Sequence, residues 1–509
     1  MALVIAIDAG TTGVRAFALD EAGVPRGRSY REFTQHFPRP GWVEHDAEEI
    51  WAVTQETLGD LIGRIDEPVA AIGITNQRET VVAWDRRTSL PLHRAIVWQD
   101  RRTAARCDEL AAAGRLPLVR QRCGLVLDPY FSGSKIEWLL GPGGVAADEH
   151  LAVGTVDSWL LWKLTGGAVH ATDPSNASRT MLYDIVERRW SGELCDLFGV
   201  PVSALGEVRP SCGRFGLTSD ECVAGAGIPV SGIAGDQQAA LFGQACFSPG
   251  MTKNTYGTGS FVLMNVGETC PPPVDGLLST IGWTVPASVM GSVARDAAPS
   301  GAHPGEVTHY ALEGAIFVTG AAVQWLRDGL GIISEAAEIG PLAESCEDSG
   351  GVFMVPAFTG LGAPWWDPYA RGTIVGLTRG SGRAQLARAT VESMALQTRD
   401  VVDAMSSASG REVTAMRVDG GASVMELLLR IQADQLGVAV SRPKVGETTA
   451  LGAAYLAGLA EGVWSDVSQV SEAWQLDVRV DPAEDRSGAE ALHDQWLRAV
   501  DRSRGWILP

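Results

Sequence analysis

The sequence predicts an α/β protein built from two large domains that face each other across a cleft. Three observations support this prediction. The 509 residues exceed the length of about 250–300 residues at which a single hydrophobic core stops growing. Apolar strand segments alternate with helical segments along most of the chain. A hairpin rich in glycine and threonine near residue 10 has a counterpart near residue 258, which indicates an internal duplication.

The first element is a strand, a glycine turn and a second strand. The apolar run 4–7 leads into the turn 8–13, whose sequence is Asp-Ala-Gly-Thr-Thr-Gly. Glycines let the backbone approach phosphate, Thr11 and Thr12 can donate hydroxyl protons, and Asp8 can hold a hydrated Mg²⁺. Taken alone, such a turn is most often an ordinary hairpin.

The alternation of strands and helices continues through the first half of the chain. We predict strands at 70–74 and 95–98 and a helix at 48–61. The second hairpin then begins a new domain, so we divide the chain into residues 1–248 and 249–509.

The second half repeats the pattern of the first. Its hairpin has glycine and threonine at 257–260, and two such hairpins facing each other could clamp one polyphosphate from both sides. Further helices are predicted at 315–330, 383–404 and 424–436, with strands at 352–355 and 416–418. Residues 284–306, rich in Ala, Ser, Gly and Pro, are predicted to form a long mobile hairpin loop. The charged segment after residue 480 is predicted to be peripheral.

Two more glycine positions suit a nucleotide. The sequence Asp-Gly-Gly at 419–421 ends a strand and opens a helix, and this geometry brings backbone N–H groups to phosphate. Gly320 lies four residues before Gln324 at the start of another helix. Each position by itself is also compatible with a simple strand-to-helix turn. Several such turns in one chain favour ATP.

An acceptor site is indicated by polar residues at two strand ends. Asp236 follows the apolar run 229–234, so its carboxylate can receive a substrate proton, although it can equally cap the following helix. Arg78 and Glu79 follow the strand predicted at 70–74. On a surface, such an ion pair would contribute almost nothing.

Charge and cysteine usage exclude several classes of partner. The formal net charge of −20, from 61 acids and 41 bases, repels polyanions and anionic lipid, so we expect no nucleic-acid partner and no membrane insertion. The eight cysteines form no C-x-x-C pair and no zinc-spaced cluster, which is typical of reduced thiols in a cytoplasmic protein. The N-terminus lacks the basic residues of a signal peptide, and no apolar stretch reaches the roughly 20 residues of a membrane span.

Several longer segments resemble the FGGY family of carbohydrate kinases, and in particular its members that act on glycerol. These segments are residues 40–46, 72–80, 96–99, 128–135, 233–244 and 356–364. The similarity extends from residue 3 to residue 465.

This resemblance implies a fold and a reaction. The fold would be two ribonuclease H-like domains of the actin and sugar kinase superfamily, with ATP and the acceptor in the cleft between them. The reaction would transfer the γ-phosphate of ATP to glycerol in the presence of Mg²⁺, giving sn-glycerol 3-phosphate and ADP. We also expect a homo-oligomer, either a dimer or a tetramer.

The resemblance also implies roles for individual residues. Acceptor contacts fall on Arg78, Glu79, Trp98, Tyr130, Asp236, Gln237 and Phe261, with Asp236 as the catalytic base. Nucleotide contacts fall on Thr11, Thr12, Gly13, Arg15, Thr258, Gly320, Gln324, Gly421 and Met425, and metal association falls on Asp8. The hydrogen-bonding groups of the acceptor set suit three vicinal hydroxyls. The guanidinium of Arg78 only donates, and the carboxylates of Glu79 and Asp236 mainly accept. Tyr130 and Gln237 can both donate and accept.

The sequence departs from the family pattern at three places. Ala9 stands where many members have glutamine, Met425 stands where many have asparagine near the adenine, and the 284–306 segment is longer than usual.

In some members a basic, glycine-rich loop before the catalytic strand binds an inhibitory sugar bisphosphate. The matching stretch here, 218–229, has two acids, no base and no histidine. We therefore predict no inhibition by fructose 1,6-bisphosphate and no phosphohistidine within this stretch.

Two alternatives stay open at this point. Another FGGY kinase, acting on a pentulose, a sugar acid or erythritol, would share the nucleotide turns but should lack the strings at 76–79 and 98–99. Actin-like filaments and heat-shock chaperone ATPases share the hairpins but have no acceptor pocket.

Overall fold

Two mixed β-sheets organise the residues that the computed structural model describes, 2–291 and 305–507. The elements up to residue 243 are β1 (Leu3–Ala9), β2 (Gly13–Leu19), β3 (Pro25–Glu32), β4 (Glu44–His45), α1 (Ala47–Ile62), β5 (Val69–Asn76), β6 (Val81–Asp85), β7 (Leu90–Pro91), β8 (Ala95–Ile96), α2 (Ala104–Ala112), α3 (Leu116–Cys123), α4 (Ser132–Leu140), β9 (Leu151–Thr155), α5 (Val156–Leu164), β10 (Ala171–Thr172), α6 (Pro174–Ala177), β11 (Tyr183–Asp184), β12 (Arg189–Trp190), α7 (Gly192–Leu197), β13 (Glu207–Val208), β14 (Cys212–Leu217), β15 (Pro229–Gly235) and α8 (Asp236–Gly243). The following elements are β16 (Met251–Tyr256), β17 (Ser260–Gly267), β18 (Leu278–Pro286), β19 (Glu306–Ile316), α9 (Gly320–Asp328), α10 (Ile339–Glu344), β20 (Phe353–Val355), β21 (Thr373–Val375), α11 (Arg383–Ser409), β22 (Ala415–Gly420), α12 (Glu426–Leu436), β23 (Val440–Pro443), α13 (Thr448–Ala460), α14 (Val467–Ala473), β24 (Leu476–Val480) and α15 (Ser487–Ser503).

The two large sheets repeat one arrangement. The first sheet has the strand order β14-β15-β5-β1-β2-β3, and the second has the order β18-β19-β17-β16-β22-β23-β24. In each sheet a hairpin, β1–β2 or β16–β17, lies beside a parallel strand, β5 or β22. The first strand of each hairpin is therefore central, and the turn that follows it opens at the carboxyl edge of the sheet. The two glycine–threonine turns thus occupy equivalent places in the two halves.

The first sheet is covered on both faces, which explains its continuous apolar strands. Residues 3–7 of β1 are fully buried. One face packs against α1 and α5, and the other packs against α13. Helix α1 begins at a defined residue because the Asp46 side chain accepts hydrogen bonds from the N–H groups of Glu48 and Glu49.

Helix α13 comes from the second half of the chain but packs on the first sheet. Small residues allow this close approach. A Cβ atom at Gly73 of β5 would lie 2.2 Å from the Ala453 carbonyl oxygen, and a Cβ at Gly452 would lie 1.8 Å from the Ala239 carbonyl oxygen of α8. Because α13 touches α8 so closely, it helps to fix the position of Asp236, the first residue of α8.

Two expectations about secondary structure need correction. The helix predicted to begin at residue 315 begins at Gly320, because 315–316 still belong to β19. The predicted loop 284–306 is paired strand at both ends, where the Thr284 and Thr308 hydroxyls lie 2.9 Å apart. Residues 292–304 of that loop lie outside the described residues.

The C-terminal segment packs against the second half and is not peripheral. Trp496 is 1% exposed, and its Nε1 donates to Asp400 over 2.8 Å. Trp496, Ala499 and Val500 follow helical spacing and form a buried stripe, while the charged residues of α15 lie largely outside that stripe. No helix in residues 2–291 or 305–507 combines the length and the apolar character needed to cross a membrane.

Candidate active site

Three segments meet at the carboxyl edge of the first sheet. Strands β15, β5 and β1 are adjacent and parallel, with Gly235 paired to Asn76 and Asn76 paired to Ala9. The turn after β1, the segment after β5 and the start of α8 are therefore neighbours. Ligands of open α/β sheets bind at such an edge.

Arg78 lies at the centre of the predicted acceptor set. Its side chain is 2% exposed, and its Nε lies 3.0 Å from Asp236 Oδ1. Its Nη2 donates to Tyr130 Oη over 3.3 Å, and its Nη1 donates to Gln238 Oε1 over 3.2 Å. Both Nη atoms also contact Glu313, at 2.5 Å and 3.3 Å. The guanidinium thus connects most of the acceptor groups.

Glu79, the next residue, has a φ of 62° and is 1% exposed. Its Oε1 accepts a 2.7 Å hydrogen bond from Arg179 Nε. Burial raises the pKa of Glu79, and the nearby Arg78 and Arg179 oppose this rise. For Glu313, burial also raises the pKa, but Arg179 and Arg78 outweigh burial and lower it to about 2. Glu313 is therefore a firmly ionised counter-ion.

Asp236 and Gln237 begin α8 beside this cluster. The Asp236 side chain remains 32% exposed, and its Oδ1 accepts from the Gln237 N–H over 2.7 Å. Lys253 Nζ donates to Gln237 Oε1 and, over 2.9 Å, to Thr255 Oγ1. Because Lys253 occupies the amide oxygen, the Gln237 NH₂ group is left to donate. Burial lowers the pKa of Lys253 to about 8, with Asp419 and Asp236 opposing the shift.

Aromatic side chains form the apolar part of the acceptor set. The rings of Trp98 and Tyr130 meet edge to face with centroids 5.6 Å apart. Trp98 Nε1 donates to Thr11 Oγ1 over 3.0 Å, which joins the acceptor residues to the first glycine turn. Phe261 lies on β17 of the second sheet, opposite Thr255.

Side chains behind the first glycine turn hold its backbone. Gln77 donates to the Gly10 carbonyl and Gln35 donates to the Thr11 carbonyl, each over 3.0 Å. The Thr12 hydroxyl lies 3.2 Å from Tyr30 Oη. A Cβ at Gly13 would lie 2.4 Å from the Arg31 carbonyl oxygen, so the packing of β2 on β3 already requires glycine there.

Asp8 and Arg15 lie on the two strands of this hairpin. Arg15 Nη1 is 3.3 Å from Asp8 Oδ2 and 2.7 Å from Glu447 Oε2. Burial raises the pKa of Asp8 to about 6, while Arg15 lowers it and the charges of Asp236 and Glu447 raise it further. The negative charge of Asp236 is thus one of the causes that raise the pKa of Asp8, and a bound cation would offset it.

The described residues contain no cluster of three or more His, Cys, Asp or Glu side chains that could hold a metal ion. Mg²⁺ does not require such a cluster, because it commonly binds one or two carboxylates together with substrate phosphates and water. The Asp8 carboxylate fits that pattern.

The predicted nucleotide residues of the second half line a cavity of about 710 Å³. Its lining includes Thr258, Gly320, Gln324, Gly421 and Met425. The remaining lining is mostly small or apolar and lies largely on 336–341 and 422–427. This volume is in the usual range for small-molecule sites.

Backbone hydrogen bonds fix the second hairpin to α9. Gly320 N–H donates to the Gly257 carbonyl, and the N–H groups of Thr319 and Ala321 donate to the Thr258 carbonyl, each over 3.0 Å. The turn and the helix start therefore form one rigid wall of the cavity. The first turn, with Thr11, Thr12, Gly13 and Arg15, belongs to the other half and does not line this cavity.

Four residues of the site were missed by sequence reasoning. They are Arg179, Gln238, Lys253 and Glu313. Glu313 had a detectable signal, because a lone acid between Leu312 and Gly314 interrupts an otherwise uncharged stretch, and such a buried charge needs a partner. Arg179 had no local signal, since its contacts lie 100 and 134 residues away in the chain.

Two family models match this chain in sequence order. The family model for the N-terminal domain of FGGY carbohydrate kinases matches residues 3–243, and the model for the C-terminal domain matches residues 252–461. A glycerol kinase of Bordetella parapertussis is 52% identical over 99% of this chain and 98% of its own length. A glycerol kinase of Trichlorobacter lovleyi is 52% identical over the full length of both chains.

Solved structures show the same fold. A crystal structure of Plasmodium falciparum glycerol kinase with ADP is similar at a TM-score of 0.90 and 34% identity, covering 99% of this chain and 98% of that one. A ligand-bound xylulose kinase from Lactobacillus acidophilus has a TM-score of 0.86 at 19% identity, with the same coverage, and this shows the fold alone. Because both domain models match in order and relatives align along the whole chain, the protein belongs to the FGGY family of carbohydrate kinases.

Proposed function

We propose that this protein is an ATP-dependent glycerol kinase, which produces sn-glycerol 3-phosphate and ADP. The observation that carries the proposal is the acceptor site, where Arg78, Tyr130 and Asp236 converge at one sheet edge. The full-length relatives named glycerol kinase support the same substrate.

The acceptor residues suit a three-carbon triol. Carboxylates of Glu79 and Asp236 accept hydrogen bonds from hydroxyl groups, and the Gln237 amide donates to them. The edge-to-face rings of Trp98 and Tyr130 offer an apolar surface to the carbon chain. An analogue that lacks one hydroxyl would leave a buried partner unpaired and would bind poorly.

Phosphoryl transfer then requires alignment and charge neutralisation. In this proposal Asp236 takes the proton from the terminal hydroxyl as that oxygen bonds to the γ-phosphorus of ATP. The bond between the γ-phosphorus and the bridging oxygen breaks, and ADP leaves with the electron pair. Thr11, Thr12, Gly13 and Arg15 of the first turn and Thr258 of the second turn would contact the phosphates.

We assign Mg²⁺ to Asp8, together with the phosphates of the nucleotide. The ion would supply positive charge that offsets the negative charge of the polyphosphate. The place of Asp8 at the end of β1, where the first glycine turn begins, supports this assignment. We assign the adenosine part of ATP to the cavity lined by Gly320, Gln324, Gly421 and Met425.

A substrate panel tests the proposal. Glycerol, erythritol, a pentulose and a sugar acid are compared at equal concentration with ATP and Mg²⁺, and ADP release is measured. We expect glycerol to have the highest kcat/KM. A better rate with erythritol or a pentulose would assign the chain to another FGGY activity, and ATP hydrolysis that no acceptor accelerates would contradict a kinase.

Three further properties stay predictions. We propose a homo-oligomer, and light scattering would give its mass.

We propose closure of the two halves around ATP and glycerol, because transfer requires exclusion of water, and solution scattering with an ATP analogue would detect it. We propose a cytoplasmic location, and the free state of all eight cysteines is the state expected in a reducing compartment.

A further inference from the structure

Four buried charged side chains form a closed ring beneath the acceptor site. We name Arg78, Glu313, Arg179 and Glu79 the charge ring. Arg78 contacts both carboxylate oxygens of Glu313, and Arg179 Nη2 donates to Glu313 Oε1 over 2.8 Å. Arg179 Nε donates to Glu79 over 2.7 Å, and Arg78 Nε lies 3.8 Å from Glu79. All four are at most 2% exposed, so each charge depends on its neighbours.

Glu313 is the member that the second half contributes. It lies on β19 opposite Leu263 of β17, and two residues later Ala315 lies opposite Phe261. Residues two apart on a strand share a face, so Glu313 and the Phe261–Ala315 pair are on one face of the second sheet. That face packs against α8, which begins with Asp236. Glu313 therefore reaches the acceptor site from across the junction of the two halves.

The two carboxylates proposed to bind substrate compete for the same cations. Asp236 Oδ1 is 3.0 Å from Arg78, and Glu79 accepts from Arg179. Glu313 contacts both Nη atoms of Arg78 and Nη2 of Arg179, so Asp236 pairs with the Nε of Arg78 and Glu79 pairs with the Nε of Arg179. Among the described residues, Arg179 Nη1 is buried without a hydrogen-bond partner. Without the charge of Glu313, both guanidinium groups would turn toward Glu79 and Asp236 and occupy the oxygens that hydroxyl groups need.

We propose that Glu313 is a positioning residue that neutralises Arg78 and Arg179 from the opposite half and so keeps Glu79 and Asp236 free to bind the acceptor. This inference rests on the proposed function, because it assigns those two carboxylates to glycerol. It follows that the acceptor site is complete only while the two halves hold their relative position.

Steady-state kinetics of Glu313→Gln test the inference, with the wild-type protein assayed first. We expect the KM for glycerol to rise about 10²-fold, as for an uncompensated buried charge, while the KM for ATP stays within about 3-fold. A wild type that does not phosphorylate glycerol contradicts the proposed function. An active wild type combined with an unchanged glycerol KM in Glu313→Gln overturns only the present inference.

Glu392→Gln is the matched control. Glu392 of α11 is also buried and paired with an arginine, at 2.7 Å from Arg388. The groups that act on its charge are Arg388, Ser349 and Asp348, none of which belongs to the predicted acceptor set. We expect Glu392→Gln to lower the melting temperature and to leave the glycerol KM unchanged. An equal rise of the glycerol KM in both variants would show a general effect of lost stability and would overturn the inference.

The double variant Glu313→Gln, Arg179→Met separates positioning from packing. It removes one positive and one negative charge, so the ring is again neutral. We expect its glycerol KM to return to within about 10-fold of the wild-type value. A double variant whose KM stays raised about 10²-fold or more contradicts the inference, and this comparison holds even where Glu313→Gln alone does not fold.

Discussion

The proposed acceptor site and the proposed nucleotide cavity are built in opposite ways. The proposed acceptor site contains several buried charged side chains that are bonded to their neighbours, with Arg78 joined to the partly exposed Asp236, to Tyr130 and to Glu313. The proposed nucleotide cavity has about 710 Å³ of space and a lining that is mostly small or apolar, with the polar or charged side chains of Thr258, Gln324, Arg327, Glu344 and Glu426. We therefore expect substitutions of charged groups to change acceptor binding strongly. Nucleotide binding should depend mainly on the shape of the cavity.

The largest effect is expected for Asp236→Asn, because it removes the proposed base. We expect kcat to fall roughly 10²–10⁴-fold, the usual contribution of a general base, while glycerol still binds. Rapid-quench and steady-state assays measure the rate, and calorimetry measures glycerol binding. Asp196→Asn, at an exposed position of α7, is the control. Turnover near the wild-type value would exclude Asp236 from the mechanism.

A methyl group in the nucleotide cavity tests shape alone. Apart from Gly421 itself and its two chain neighbours, no atom of the described residues lies within 4 Å of a Cβ built at Gly421, whereas a Cβ at Gly320 would lie 2.5 Å from the Gly257 carbonyl oxygen. We expect Gly421→Ala to keep the melting temperature and to raise the ATP KM about 10–100-fold, since the methyl group takes space from the nucleotide.

Gly320→Ala is the companion to that variant. We expect it to lower the melting temperature as well, because it separates α9 from the second hairpin. An unchanged ATP KM in Gly421→Ala would show that the nucleotide does not approach this residue.

Trp98→Phe sharpens the comparison because Trp98 joins the two regions. Phenylalanine keeps an aromatic wall for the acceptor but loses the 3.0 Å hydrogen bond to Thr11. We expect kcat/KM to fall about 5–10-fold for both substrates, which is the effect of one hydrogen bond. The Thr11→Val variant should give the same loss, and the double variant should lose no more than either single one. Additive losses would show that the bond does not couple the regions.

The smallest effect is expected from fructose 1,6-bisphosphate, which should not change the rate. The loop 218–229 exposes Asp220 and Glu221, and Gln55 of α1 anchors it by bonding to the backbone of Glu221 and Val223. An anion with several charges meets acids there instead of the arginine or lysine forks that bisphosphates require. Initial rates across millimolar effector, with light scattering in parallel, check this. Dose-dependent inhibition with a change in mass would contradict it.

Much of the acceptor site could be predicted from the sequence, because its parts follow strand ends. Arg78, Glu79 and Asp236 come directly after β5 and β15, and parallel neighbouring strands bring such residues together. The glycines proposed to contact the nucleotide could be placed for a similar reason, since Gly421 follows β22 and Gly320 opens α9. The prediction that the C-terminal segment is peripheral was wrong, because it relied on the charged residues of α15. The apolar stripe of that helix packs against the second half.

The sequence by itself determined the α/β class and the two glycine hairpins, and it predicted most of the residues that the structure brings together in the two proposed sites. These features depend on local order along the chain, where apolar runs, glycines and polar residues follow one another at fixed spacing. Only the tertiary structure revealed the packing of α13 on the first sheet and the ion pair between Arg78 and Glu313, which are 235 residues apart. The partner of a buried charge depends on which strands and helices meet in space, and no local pattern specifies that meeting.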